Sequence, residues 1–412
     1  MTNPIEPVLY PREFIQRLPK SDIHVHLDGS LRLSTLIELA RKQGVELPSY
    51  TEDGLKETVF KAHYANLSEY LYGFHFCTAV LQDPQSLERA AYELAWDCIN
   101  EGVCYVEVRF APQLHVNERQ NIEEVLKAVN HGLVRAKYEQ NNSSQVMNGQ
   151  FPAFEYGIIV CAMRHFEPGY SEYYRNMFQV HSYCPPKDLY PVASLELARA
   201  SVDIRDRLEI PIVGFDLAGE EAGYPAAPHQ ESFMFVHRHF LKKTVHAGEA
   251  FGPESIFQAI TDLNADRIGH GYYLFDAAAV RDPSIENRER YVRALAQYIS
   301  DRRITIEVCL TSNMQTNPKI TDLSNHQFRQ MLKHKVSTAI CTDNRTVSNT
   351  SMTNELFIAS NSFGISRREL KNLVIYGFKR SFFRGNYLEK RAYVRGVIDH
   401  YEKVETDFFG QP

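Results

Sequence analysis

The 412 residues are 44% hydrophobic and 23% charged, enough to bury a large core, and no apolar run approaches the ~20 residues that a membrane-spanning helix needs. A formal charge of −6 argues against a nucleic-acid partner, because affinity for a phosphate backbone comes from clustered Lys and Arg. A small-molecule substrate is expected instead. The opening residues, MTNPIEPVLYPREF, lack a charged-then-apolar leader, and the seven cysteines form no CxxC pair. They read as reduced, mostly buried thiols, with the cytoplasm as the expected location. Nothing in the sequence points to an oligomeric state.

Short β-branched apolar runs recur along the chain and alternate with longer helical patterns. DIHVHL (22–27) is the first expected strand, followed by a helix from near Ser34. The stretch 45–82 is too long for a simple strand-to-helix connection. Its TVFKAHYANLSEYLYGFHF portion carries aromatics at helical spacing and reads as one or two helices over the barrel mouth. The next helix starts at Asp83-Pro84, an acidic cap followed by a proline where no amide is needed, and stops at Gly102. CYVEVRF (104–110) is the second strand and 121–140 a helix, while the polar, turn-rich 141–153 reads as a surface insertion. Strands three and four are EYGIIVCA (155–162) and PIVGFDL (211–217). KTVHAGE (243–249), DRIGHGY (266–272), ITIEVCL (304–310) and VSTAICTD (336–343) follow, with helices expected near 253–263, 285–300 and 325–335. Eight strands of near-continuous apolar character separated by helices describe an α/β fold, a (β/α)8 TIM barrel covered at its C-terminal mouth by extra helices. With no repeat or linker to divide it, 1–412 reads as one domain.

The chemistry-bearing residues sit where those strands end. His24 and His26 are alternate residues of the first strand, so both imidazoles point to one side. An HxH pair alone is most often just a pair of polar residues. Here, however, His246 and Glu249 follow strand five, His270 follows strand six and Asp343 ends strand eight. In a barrel all these ends share the face on which active sites are assembled. Three histidines and one carboxylate, His24, His26, His246 and Asp343, suit a single zinc ion with a position left for water, and iron or cobalt would also fit. A water activated in this way performs hydrolysis or deamination. Glu249, three residues beyond His246, is the best candidate for a general acid, and His270 for proton handling or oxyanion stabilisation. The phosphate-loop, serine-elbow and dinucleotide motifs are absent, as is the paired-cysteine signature of the base-editing type of deaminase.

PKSDIHVHLDGSLR (19–32), GFDLAGEE (214–221), TVHAGE (244–249), RIGHGY (267–272) and CTDN (341–344), with SIFQAI (255–260) and TSMTNEL (350–356), resemble the adenosine deaminase family in order and spacing over nearly the whole chain. The resemblance implies hydrolytic removal of the 6-amino group of adenosine and deoxyadenosine, giving inosine or deoxyinosine and ammonia. It implies zinc on His24, His26, His246 and Asp343, with the activated water directed at C6. Glu249 would protonate purine N1, and His270 would position the attacking oxygen and stabilise developing charge. Substrate contacts carried over by the resemblance are Asp28 to a ribose hydroxyl, Gly219 through its amide to N3, and Asn344 to N7. The best-known animal members have a second aspartate at the last of these positions, and TDNR occurs among bacterial ones. An asparagine can still donate to N7 through its amide nitrogen. Deamination of a modified adenine nucleoside or of adenine, a two-metal amidohydrolase, and a non-catalytic purine-binding barrel are the competing readings. The two-metal form would need a lysine on strand four, where the chain has GFDLAG.

Overall fold

The computed structural model describes residues 9–317, 320 and 322–410, so the two ends of the expected 1–412 unit lie outside the described residues. Among the described residues eight strands are present: β1 (Lys20–His26), β2 (Val103–Phe110), β3 (Glu155–Met163), β4 (Ile212–Ala218), β5 (Lys242–Ala247), β6 (Arg267–His270), β7 (Thr305–Val308) and β8 (Ser337–Ile340). Each pairs in parallel with the next in sequence order. Every residue of β1, β2, β4, β6, β7 and β8 is buried, which is why their apolar residues do not alternate with polar ones as they would on a sheet with one wet face, and the charged residues within them are buried as well.

The eighth strand returns to the first through a parallel bridge between Val25 and Asp343. The His26 amide donates to the Asp343 carbonyl at 2.7 Å, and the Asp343 amide donates to the His24 carbonyl at 2.8 Å. Barrel closure therefore brings the HxH pair and Asp343 together through the backbone alone, across some 320 residues of chain.

Local signals fix many of the surrounding helices. Asp83 caps Pro84–Asn100 by accepting from the Ser86 amide at 2.9 Å, with the proline in the first turn. Ile122–Asn141 starts with a capping box between Asn121 and Glu124. These two helices cross where Gly132 sits, and a Cβ there would lie 2.2 Å from the Glu88 carbonyl oxygen. The 45–82 stretch forms two helices, Glu52–Thr58 and Leu67–Val80, and the 141–153 insertion holds one short turn of helix, Ser144–Met147, with no buried residue. Pro253–Thr261, Arg288–Arg302 and Phe328–Lys333 occupy the other expected positions, with shifted ends.

Several helices had no clear signal in the sequence. Pro186–Leu208 begins at a Pro-Pro pair and contains Pro191, which reads as a breaker, yet the helix runs 23 residues because its Leu189, Ala193, Leu197 and Ala198 face is buried against the barrel. Arg367–Arg380 covers the seam between β8 and β1, where Gly377 approaches Ser21 closely, and Tyr387–Phe409 packs outside it. All seven cysteines are free and six are buried, Cys184 being the exposed one. No helix among the described residues is long and apolar enough to cross a membrane.

Gly132→Ala is expected to destabilise the protein by about 1–3 kcal/mol, because the added methyl meets backbone rather than a movable side chain. Thermal denaturation followed by circular dichroism checks this, and an unchanged midpoint would show that the helix pair can separate without cost.

Candidate metal centre and active site

At the C-terminal ends of β1, β5 and β8 the donor atoms converge. His26 Nε2 lies 3.2 Å from His246 Nε2, and Asp343 Oδ1 lies 3.4 Å from His24 Nε2 and 3.5 Å from His26 Nε2. Four ligands arranged tetrahedrally at zinc-like bond lengths would stand about 3.3 Å apart, so this set fits one small cation. His24 Nε2 is buried without a hydrogen-bond partner, an arrangement that a metal would satisfy. His270 stands at the same centre, with a ring nitrogen within 4.8 Å of donor atoms on His24, His246 and Asp343. Two of these residues, His270 and Asp343, adopt left-handed backbone at φ 63°, a conformation costly for a side chain-bearing residue and concentrated at functional sites. Gly269 on β6 leaves room for the His24 ring, since a Cβ there would lie 3.0 Å from His24 Cε1.

Behind the imidazoles lies a buried ionic layer. Glu307 Oε2 accepts from His24 Nδ1 at 2.8 Å, and Asp216 Oδ2 is 3.0 Å from His246 Nδ1. A carboxylate can only accept, so each ring carries its hydrogen on Nδ1 and turns the Nε2 lone pair toward the centre. Arg109 bridges the two carboxylates, at 2.9 Å from Asp216 and 2.9 Å from Glu307. Arg267 and Thr244 bind the other Glu307 oxygen at 2.6 and 3.0 Å. Burial alone would raise the Glu307 carboxyl, but the Arg109 and Arg267 charges outweigh it and hold the group well below the ordinary range. Ser312 donates to Asp343 Oδ2 at 2.6 Å, leaving Oδ1 for the centre.

Glu249 is buried beside this centre, its Oε2 3.7 Å from His270 Nε2. Burial, reinforced by the Asp343 and Glu221 charges and opposed by Arg164, pushes its carboxyl well above the usual range, toward the protonated form. The loop that carries it is clamped by one side chain. Glu221 accepts from the backbone amides of Gly248, Glu249, Ala250 and Phe251 at 2.6–2.9 Å and from the Ser255 hydroxyl at 2.5 Å.

A cavity of about 930 Å³ opens onto these groups, lined by His26, Asp28, Gly219, His246, Glu249, His270, Asp343 and Asn344 together with Tyr70, Leu71 and Phe74 of Leu67–Val80. The aromatic helix anticipated from 45–82 thus forms a wall of the mouth. Asp28 is 3% exposed, its Oδ1 has no partner, and burial raises its carboxyl to about 7. Gly219 turns away from β4 at φ 93°, which glycine adopts without strain. The Asn344 amide nitrogen, expected from the sequence to face the purine, donates to the Tyr70 hydroxyl at 2.8 Å, and Tyr70 also contacts the Ser348 hydroxyl at 2.8 Å. His75 and His165, which had no motif to distinguish them, also line the cavity.

The sequence motifs assigned no role to Glu307, Arg109, Asp216 or Glu221, although GFDLAGEE contains the last two. The available signal was a charged residue inside an apolar strand run, as in CYVEVRF, GFDL and ITIEVCL, because such a residue is buried only with a partner.

A profile of the adenosine deaminase family matches residues 19–180 and 188–399. An adenosine deaminase from Mycolicibacterium vanbaalenii is 34% identical over 387 residues, covering 93% of this chain and 95% of its own. Among solved structures, an Arabidopsis N6-mAMP deaminase superposes with a TM-score of 0.70 at 25% identity, over 94% of this chain and 99% of that one. An amidohydrolase from Burkholderia ambifaria with bound zinc shares the fold at a TM-score of 0.74 and 18% identity, over 99% and 97% of the two chains.

Glu307→Gln is expected to weaken divalent-metal affinity about 10- to 100-fold, since it removes the negative charge behind the His24 ring and leaves one acceptor oxygen where His24, Arg109, Arg267 and Thr244 all donate. Competition against a chelator measures this, and undiminished affinity would separate Glu307 from the metal centre.

Proposed function

The chain belongs to the adenosine deaminase family and is an aminohydrolase, and from that premise we propose that it hydrolyses the 6-amino group of adenosine and deoxyadenosine, with zinc as its metal and 1–412 acting as one catalytic domain. The observation that carries this reading is the meeting of three imidazole Nε2 groups and one carboxylate oxygen with a buried Glu249, at the floor of a cavity large enough for a purine nucleoside.

In this reading His24, His26, His246 and Asp343 would hold the metal, which when bound would supply Lewis acidity and lower the pKa of a water to about 7. Glu249 delivers its proton to purine N1, for which its burial beside Asp343 and Glu221 prepares it. As C6 takes up oxygen and becomes tetrahedral, His270 donates a hydrogen bond to that oxygen. The Glu249 carboxylate then takes the hydrogen of the new C6 hydroxyl and passes it to the amino group, which departs as ammonia and leaves inosine with its hydrogen on N1.

Asp28 supports a nucleoside over a free base. Its buried Oδ1 has no partner, and a ribose hydroxyl, a group that adenine does not have, would supply the donor. The Gly219 amide serves N3. Asn344 keeps a second amide hydrogen for N7 while the first is bound to Tyr70, so the hydroxyl fixes the amide plane against the base.

Following absorbance loss on adenosine with and without chelator tests reaction, substrate and metal together, and parallel ammonia release from adenine and N6-methyl-AMP tests the alternatives. Turnover of either of these in preference to adenosine would overturn the substrate assignment. Glu249→Gln is expected to lower kcat by about 10²- to 10⁴-fold while metal content stays near one per chain. Asp28→Ala is expected to raise KM for adenosine about 10-fold or more through the lost hydrogen bond, with little effect on adenine.

A further inference from the structure

We propose that the backbone amide of Phe328 sets the tautomer of His270 through two positioning side chains, His326 and Asn313, so that His270 presents Nε2–H to the reaction centre and acts as a hydrogen-bond donor, neither a base nor a metal ligand. The inference builds on the aminohydrolase site described above, and the residues it adds behind His270 are ones that no motif marks.

The chain of contacts starts at a group whose polarity is fixed. Phe328 opens the helix Phe328–Lys333, and its N–H is one of those that a helix start leaves without an intrahelical acceptor. It donates to His326 Nδ1 at 3.0 Å. A backbone N–H can only donate, so Nδ1 holds a lone pair and the ring hydrogen is on Nε2. Burial agrees, lowering the His326 pKa to about 3. His326 Nε2 faces Asn313 Oδ1 at 3.4 Å, a long contact whose direction orients the amide. The Asn313 amide nitrogen is thereby turned to His270 Nδ1, 3.1 Å away. That nitrogen must accept, and the His270 hydrogen is left on Nε2, the atom nearest Glu249.

The reverse arrangement fails on the same rules. Were the Asn313 amide flipped, its nitrogen would donate to His326 Nε2 while Phe328 donated to Nδ1, leaving the ring without a hydrogen. A protonated His270 would set Nδ1–H against the Asn313 N–H. His326 and Asn313 are 2% and 1% exposed, so the relay is shielded from solvent.

Of the four imidazoles at the centre, three have backing groups of two kinds. Behind His24 and His246 stand carboxylates, Glu307 and Asp216, which take the Nδ1 hydrogen and free Nε2 for a metal. Behind His270 stands an amide N–H, which does the opposite. His270 therefore remains outside the ligand set although its ring lies 5.0 Å from that of His24 and 5.3 Å from that of His246. It also cannot take a proton from water through Nε2, which already carries one.

Selective 15N-histidine labelling of the metal-loaded protein tests this, because protonated and lone-pair ring nitrogens resonate far apart. The His270 signals are identified by their loss in His270→Ala. A protonated Nε2 with a lone pair on Nδ1 is expected, and the opposite pattern would overturn the proposal without reference to any substrate. Asn313→Asp replaces the donor with an acceptor. It is expected to move the His270 hydrogen to Nδ1 and lower kcat on adenosine about 100-fold with KM nearly unchanged, and His326→Phe should act in the same direction. An unshifted tautomer and full kcat in Asn313→Asp would reject the relay. Should either variant fail to fold, the spectrum of the unmutated protein still decides. Absence of adenosine turnover by the unmutated protein would count against the substrate reading alone.

Discussion

The Arg109 guanidinium, held between Asp216 and Glu307 and closed off from water, is the interaction on which the site depends. Neither carboxylate could remain ionised at that depth alone, since an unpaired charge in the barrel interior would shed its charge by shifting its pKa. With Arg109 between them and Arg267 joining Glu307 to Glu107, the interior carries an alternating series of charges rather than isolated ones. Such pairs contribute little net stability against an apolar replacement, but removing one member costs about 3–5 kcal/mol because its partners stay buried. The cost is retained because the carboxylates do something an apolar core could not: they hold two imidazoles in the tautomer that offers Nε2.

The same logic extends outward from the barrel axis. Each functional side chain is backed by a group of fixed hydrogen-bond polarity, and that polarity selects what the side chain presents. Ser312 occupies one oxygen of Asp343 and leaves the other. Glu221 collects four consecutive amides and so gives the Glu249 loop a single conformation, while its charge joins burial in favouring the protonated acid. Backbone strain at His270 and Asp343 is tolerable in this setting because strand pairing and side-chain contacts on both sides determine the conformation.

Much of the architecture is legible in the linear chain. Parallel strands buried on both faces write themselves as apolar runs, and eight of them appear at the expected places; Asp83-Pro84 and the Asn121 start mark helices by local chemistry alone. Helices stabilised by their packing were harder to read. Pro186–Leu208 carries a proline that local propensity counts against, and its buried face outweighs that propensity only once the barrel is present to receive it.

For the site, the sequence alone determined the kinds of donor available and that they fall at strand ends: His24, His26, His246, Glu249, His270 and Asp343 are all adjacent to runs that must be strands. The tertiary structure decided the rest, because a side chain's partner is set by three-dimensional neighbourhood rather than by spacing. Nothing in the chain order says that Arg109 meets Asp216 and Glu307, that Asn344 is held by Tyr70 from a helix more than 270 residues earlier, or that His270 is backed by an amide while His24 and His246 are backed by carboxylates. A histidine looks the same in every motif; which nitrogen carries its hydrogen depends on the group that the fold places behind it.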